Sequence, residues 1–485
     1  MKIGRCTSWA AWLLVTTLVA GCATPAGSSR AAAPSAAGSD VAIGKLSMSA
    51  DEFQDFQSQP AVERRRRLDA ILATHPDDFA ARYLRLQAED QLADCSAVVA
   101  DSEVILANPA LDRRLRPAVL DQRAEALIQL RRFPEAIAAA TEALDIDGSD
   151  SPALFARGWT RFHQDQAQTD DALADLDRAL QLRPDEGIGH YRRAVVLQVR
   201  GALDRAAEDF ARAVQLAPDD VPTRLAYGDM LMQTKDFEGA LAQFDVAVRL
   251  KPGDPAAWVG RAQAHLSLAL FDDVIADARH AMELGATDDD LANAHSYLGS
   301  ALWGKSDFAG AAREFQLVLA VGDDPWIARR LALMQWYSGQ LPQAIQSFRG
   351  QVTQPDASPY TPLWLFIVRV HANPAEETEA SDELATLAPS HKPHVWVDTL
   401  VDLMLGRTTI EAALVEADAA DTYQLRAGRR CEADYYAAER LLLHGQREPA
   451  NGLLEEAYWV CPSTYTEATA VGWERSLLEA RPQSR

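Results

Sequence analysis

The sequence predicts an all-α fold, a solenoid of stacked helix-turn-helix repeats, and three observations carry that expectation. First, a segment recurs. Ala179-Leu180-Gln181-Leu182-Arg183-Pro184-Asp185 is followed by Ala213-Val214-Gln215-Leu216-Ala217-Pro218-Asp219 and Ala247-Val248-Arg249-Leu250-Lys251-Pro252-Gly253, with the prolines 34 residues apart, twice. Second, small residues keep the same step, at Ala172, Ala206 and Ala240, and Phe210 and Phe244 share a further position. Third, apolar residues between the prolines fall at three- and four-residue steps, which makes each stretch an amphipathic helix. One such helical pair cannot bury its apolar face alone, so neighbours must stack.

Taken in chain order, the first element is a leader. Lys2 and Arg5 form a positive start, Ala10 to Ala20 is an uncharged apolar run, and Val19-Ala20-Gly21-Cys22 places small residues before a cysteine. The run is about half the length of a stable membrane span, so it reads as a cleaved signal over residues 1–21. These residues resemble the lipobox of bacterial lipoproteins. The resemblance implies diacylation of Cys22, cleavage before it and acylation of the new amino terminus, the multiple-chain arrangement that anchors firmly. An ordinary signal peptide and an uncleaved anchor are the alternatives. Ala23, where an Asp would mark inner-membrane retention, resembles the pattern of lipoproteins sorted to the outer membrane. Residues 22–49 are rich in Ala, Ser, Gly and Pro and read as a flexible tether.

Degenerate helical pairs are expected over 50–116, the main repeat array over 117–357, further degenerate pairs over 358–430, and a closing unit with a capping helix over 431–480. Within the array, units begin near Pro117, Ser151, Gly187, Val221 and Pro255, with looser ones near Ala292 and Pro325. In the unit from Val221, the first helix carries Leu225, Tyr227, Gly228 and Leu231, and Lys235-Asp236 makes the turn. The second runs from Phe237 through Ala240, Phe244, Ala247 and Val248 to the Pro252 stop. This pattern resembles that of tetratricopeptide repeats, which implies a right-handed superhelix and a role in holding other proteins. Trp396, Leu405-Gly406-Arg407-Thr408-Thr409-Ile410-Glu411 and Cys431-Glu432-Ala433-Asp434-Tyr435-Tyr436 are similar to the closing segment of new-lipoprotein-I-type scaffolds.

Composition narrows the function classes. Apolar residues make up 48% and charged residues 24%, as in a folded chain, and the net charge is −23. Losing Lys2 and Arg5 with the leader takes that to −25, a sign that repels phosphate backbones and argues against nucleic acid. Gly299-Ser300-Ala301-Leu302-Trp303-Gly304-Lys305-Ser306 fits the phosphate-loop pattern in letters. That loop must leave a strand and open a helix, whereas these residues fall inside a first helix and its turn, so the match reads as coincidence. No metal motif, catalytic triad or cofactor signature is evident; His190 and His295 sit within first helices. Arg64 to Arg67 is a basic run near the tether, either a solvated face or a contact with anionic head groups.

Three cysteines remain in an oxidising compartment. Cys431 is placed at the start of a first helix and Cys461 after its antiparallel second helix, so a disulfide between them is expected, with two reduced buried thiols as the alternative. Cys95 reads as a buried helix residue. In proteins that this one resembles, first helices line the concave face where partners bind. That face projects onto Phe155, Trp159, Phe162, Tyr191, Leu225, Met232, Leu266, Tyr297, Trp303, Trp326, Trp336 and Tyr337, with Arg192, Arg329 and Arg330 beside them. The set is either a groove for an apolar or aromatic segment or part of inter-repeat packing. The expectation is a lipid-anchored, non-enzymatic scaffold on the periplasmic face of the outer membrane. Its partners would be other envelope proteins or their peptide segments, it would touch the membrane through its anchor only, and it would need no cofactor. A pilotin- or assembly-type lipoprotein and an enzyme with its site in 358–430 are the competing readings.

Overall fold

The computed structural model describes residues 55–480 apart from 110, 166–167, 355–356, 389–390, 392–393 and 462–465. The leader, the tether and the Cys22 attachment point therefore lie outside the described residues. All regular structure among the described residues is helical, in the paired arrangement expected of a repeat solenoid. The chain divides into two compact units, one ending at Ala264 and one starting at His265, within the helix Pro255–Ser267.

In the first unit, Ala61–Thr74, Phe79–Gln91 and Cys95–Ala107 precede the regular array. First helices Arg116–Gln129, Ser151–Gln164, Gly187–Val199, Val221–Gln233 and Pro255–Ser267 then alternate with second helices Phe133–Ile146, Thr169–Leu182, Leu203–Leu216 and Phe237–Leu250. Aspartates start many of them. Asp150 accepts from the Ala153 amide, Asp220 from Thr223 and Asp236 from Gly239, satisfying donors that have no partner within the helix. The turn between a first and second helix passes through one residue of left-handed backbone: Arg131, Gly201, Lys235 and, in the second unit, Ala269, Ser306 and Gly339. In the regular array the second helices thus stop at proline, as at 184, 218 and 252, whereas the turns after these first helices use a left-handed residue that is more often not glycine.

Packing explains the small residues. A Cβ on Gly228 would come within 2.6 Å of the Phe244 ring, and one on Gly260 within 2.5 Å. The fully buried Phe244 thus lies in a slot formed by glycines of its own first helix and the next one. Ala172, Ala206 and Ala240 are likewise fully buried, so the recurring small positions are where helices approach most closely.

The second unit holds Phe271–Glu283, then the pairs Asp288–Gly304 with Phe308–Leu319, Pro325–Tyr337 with Leu341–Val352, and Thr361–Ala372 with Glu377–Leu387. Short helices Trp396–Met404 and Ile410–Asp418 follow, then Tyr423–Leu443, Arg447–Val460 and Thr466–Ala480. Tyr423–Leu443 begins well before residue 431, so Cys431 lies in the middle of that helix and not at its start. Cys431 and Cys461 form a disulfide with their Cα atoms 4.7 Å apart, pinning the end of Arg447–Val460 to the middle of its partner helix. Cys95 is buried at the first position of Cys95–Ala107. No described helix is long and apolar enough to cross a membrane.

Candidate functional site

The projected groove separates into buried and accessible residues. Phe155, Trp159 and Phe162, all on Ser151–Gln164, are buried, and so are Trp336 and Tyr337 on Pro325–Tyr337. These five leave the groove set, and in each unit a specific contact explains why. In the first unit an aromatic ladder runs through the stack, Trp159 to Tyr191 at 6.1 Å, Tyr191 to Phe210 at 6.2 Å and Phe210 to Tyr227 at 5.8 Å between centroids. Burial pushes the Tyr191 phenol up to about 12 and the His163 imidazole beside Trp159 down to about 4. Arg192 is buried too, lying over Trp159 and donating to Glu125 at 2.7 Å, so its charge is already matched. Leu225 and Met232 are half-buried and pack against the same core.

In the second unit the chain covers its own first-helix face. Thr466–Ala480 lays Trp473 against Trp336 at 5.4 Å and against Tyr337 at 4.8 Å, while Trp364 of the following first helix meets Trp336 at 5.8 Å. Trp336 and Tyr337 thus lie inside an aromatic core, beneath the closing helix. Tyr297 and Leu266 are half-buried.

What remains accessible is a clasp on two adjacent first helices. Trp303 is near the end of Asp288–Gly304, and Trp326 and Arg330 are one turn apart on Pro325–Tyr337. The Arg330 guanidinium lies over both indoles, 5.3 Å from Trp303 and 4.9 Å from Trp326, and donates to Ser300 Oγ at 3.1 Å. Trp326 is 48% exposed and Trp303 half-buried. Arg329 is the next residue, also half-buried. Among the described residues neither arginine has a carboxylate at ion-pair distance, and burial pulls both guanidinium pKa values below the ordinary arginine range. The acid that acts on Arg330, Asp324, spends its carboxylate capping the helix, accepting from the Trp326 and Ile327 amides.

Arginines elsewhere on first helices are treated differently. Arg157 is held by Asp175 at 2.7 Å and Arg193 by Asp209 at 2.7 Å, each with two donors engaged. Arg330 spends one of its five donors on a hydroxyl and rests its planar face on tryptophans. The arrangement leaves a flat cation with spare donors beside an exposed indole, which is chemistry for a carboxylate carried next to an apolar or aromatic group.

The phosphate-loop letters form no such loop. Gly299 to Gly304 are helical, a Cβ on Gly299 would meet the Phe315 ring at 2.8 Å, and Lys305 pairs with Asp272. Two groupings of ionisable residues lie outside the projected groove, and only the first has a short spacing in the sequence. His391 and His394 flank Asp398, whose carboxylate accepts from the Val395 amide and faces His391 Nδ1 at 2.8 Å. The other gathers His371, Glu439 and Glu474, each from a different helix, around one buried point. No periodic or short-spacing signal links His371, Glu439 and Glu474, which are far apart in the chain. The Arg64–Arg67 run is partly spent on internal pairs, Arg65 with Asp94 and Arg67 with Asp55.

Fold and site together define a helical-repeat protein of the interaction type, without a strand-borne catalytic framework among the described residues. Residues 163–221 and 197–266 match tetratricopeptide repeat family models, so the chain carries repeats of that kind. No curated protein matches the chain. Similar solved structures include a tetratricopeptide repeat protein from Parabacteroides merdae, 18% identical, covering 56% of this chain and 99% of that one with a TM-score of 0.36. PilF from Pseudomonas aeruginosa is 16% identical, over 49% of this chain and 100% of that one, at 0.37. MamA from Desulfovibrio magneticus is 21% identical, over 36% and 95%, at 0.33.

Proposed function

We propose that this chain is a non-catalytic, lipid-anchored adaptor of the bacterial envelope that holds partner proteins through the Arg329–Arg330 clasp. The observation that carries the reading is the state of Arg330, partly desolvated, without a carboxylate at ion-pair distance among the described residues and bracketed by Trp303 and the exposed Trp326; Arg329, the next residue, is also partly desolvated, with Glu467 the acid that acts on it. A desolvated cation without a counter-charge is unfavourable in the free chain, and a partner's carboxylate relieves it. The ligand class is therefore a segment that carries an acidic side chain or a terminal carboxylate beside an apolar or aromatic residue. In a chain of net charge −23, acidic surroundings weaken such a segment's approach, so selection falls on the clasp's own geometry. The repeats matched by tetratricopeptide models support protein binding as the general role. Anchoring and compartment rest on the leader and the Val19-Ala20-Gly21-Cys22 signature.

Pull-down from envelope extracts tests the reading. Arg330→Glu reverses the charge on a partly accessible side chain, so the purified variant keeps its helical circular dichroism and loses the partners retained by the original chain. Equal recovery of the same partners would overturn the clasp. Cys22→Ser tests the anchor: the chain should move from the membrane pellet to the soluble envelope fraction.

A further inference from the structure

Three helices of the second unit meet at a buried polar point. Thr361–Ala372 brings His371, Tyr423–Leu443 brings Glu439, and Thr466–Ala480 brings Glu474. One ligating atom from each lies within 4.8 Å of the other two, and His371 Nε2 faces Glu439 Oε2 at 2.8 Å. Glu439 is fully buried and Glu474 is 4% exposed. Around them stand polar atoms that make no hydrogen bond within the described chain: Glu439 Oε1, and the hydroxyls of Tyr337 and Tyr435, both buried phenols on which the two carboxylates act. Trp336 closes one side, its ring 5.8 Å from that of His371.

We propose that His371, Glu439 and Glu474 bind one divalent first-row transition-metal cation that fastens the closing helix Thr466–Ala480 to the rest of the unit. The donor set is an imidazole and two carboxylates, the mixture that zinc and its neighbours accept and that calcium and magnesium do not favour. Two carboxylates brought together in a dry interior are unfavourable, and a dication balances them. The geometry is within reach: three atoms no more than 4.8 Å from one another share a point within about 2.8 Å of each, and zinc–nitrogen and zinc–oxygen bonds of about 2.0–2.2 Å need less than an ångström of side-chain movement. The unpartnered Tyr337 and Tyr435 hydroxyls are donors left over for a ligating carboxylate or a metal-bound water, the outer-sphere support that fixes such ligands. The clip joins the helix that carries Trp473 to the helices beneath it, so it governs how firmly Trp336 and Tyr337 stay covered.

The test is calorimetric titration of Zn²⁺ into the full chain after chelation, with metal content measured after dialysis. One Zn²⁺ per chain is expected. His371→Gln and Glu474→Gln, with circular dichroism unchanged, should each weaken binding at least tenfold, and the double variant His391→Ala/His394→Ala, which removes the surface grouping around Asp398, should leave it intact. X-ray absorption of the zinc-loaded original chain needs no variant: one imidazole with oxygen donors is expected. Absence of stoichiometric binding, binding unchanged by either core variant, or a spectrum with two or more imidazoles would overturn the site.

Discussion

Trp326 and Trp336 lie ten positions apart on one helix, and replacing each with Ala separates a binding face from a core. Trp336 is 2% exposed and packed by Trp364, Trp473 and Tyr337. A buried tryptophan removes about 200 Å² from water, which at about 25 cal/mol/Å² is ~5 kcal/mol, and measured aromatic-to-Ala changes in cores run to about 3–5 kcal/mol. Trp326 is 48% exposed, its removal opens no sealed cavity, and it forfeits one stacking contact with Arg330 worth about 0.5–1 kcal/mol. Its total loss should be about 1–2 kcal/mol. Urea unfolding followed by circular dichroism measures both, with partner pull-down run on the same samples. Trp336→Ala should lower the midpoint strongly or leave the second unit unfolded, whereas Trp326→Ala should change it little and lose partners. Equal destabilisation by the two, or a silent Trp336→Ala, would refute the division between clasp and core.

Other consequences follow from packing and titration. Burial pushes the Glu432 carboxyl up to about 7 from an ordinary 4.5, against hydrogen bonds from Trp396 and Tyr360. A carboxyl raised in the folded state favours folding fully only below the unfolded pKa, and that contribution is lost as pH rises from about 4.5 through about 7. Glu432→Gln should therefore stabilise the chain at pH 8 by up to about 3 kcal/mol and have far less effect at pH 4, measured as thermal midpoints across that range. Gly228→Ala forces a methyl to within 2.6 Å of the Phe244 ring and should cost about 1–3 kcal/mol, whereas Gly253→Ala, with open space around it, should not; urea midpoints compare them. Reducing the Cys431–Cys461 disulfide should cost about 2–4 kcal/mol, read as a lower midpoint in the presence of reductant that Cys431→Ala/Cys461→Ala reproduces without it.

The array was legible because its constraints are local. Proline at 184, 218 and 252 ends a helix wherever it stands, and Ala172, Ala206 and Ala240 mark close approach whatever surrounds them. The start of Tyr423–Leu443 was not, because its first turn is exposed: Tyr423 is 83% and Leu425 43% accessible, so no apolar stripe announces it. Helix-face projection also could not distinguish Trp326 from Trp336. Both belong to a first helix, and what separates them is Trp473, 137 positions beyond Trp336, arriving from the closing helix. The clasp was half visible, since Arg329, Arg330, Trp303 and Trp326 stood in the projected set, but the missing counter-charge is a property of space and not of spacing. The His371–Glu439–Glu474 point depends entirely on tertiary contact.

Site-specific photo-crosslinking in intact cells tests the adaptor claim most directly, with the photoreactive residue placed at Trp326 and, as a comparison, at the exposed Arg313 of the neighbouring second helix. The account predicts discrete protein adducts at position 326 that vanish when Arg330→Glu is added, and none of those adducts at position 313. The same adducts from both positions, or adducts at 326 that survive the charge reversal, would contradict it.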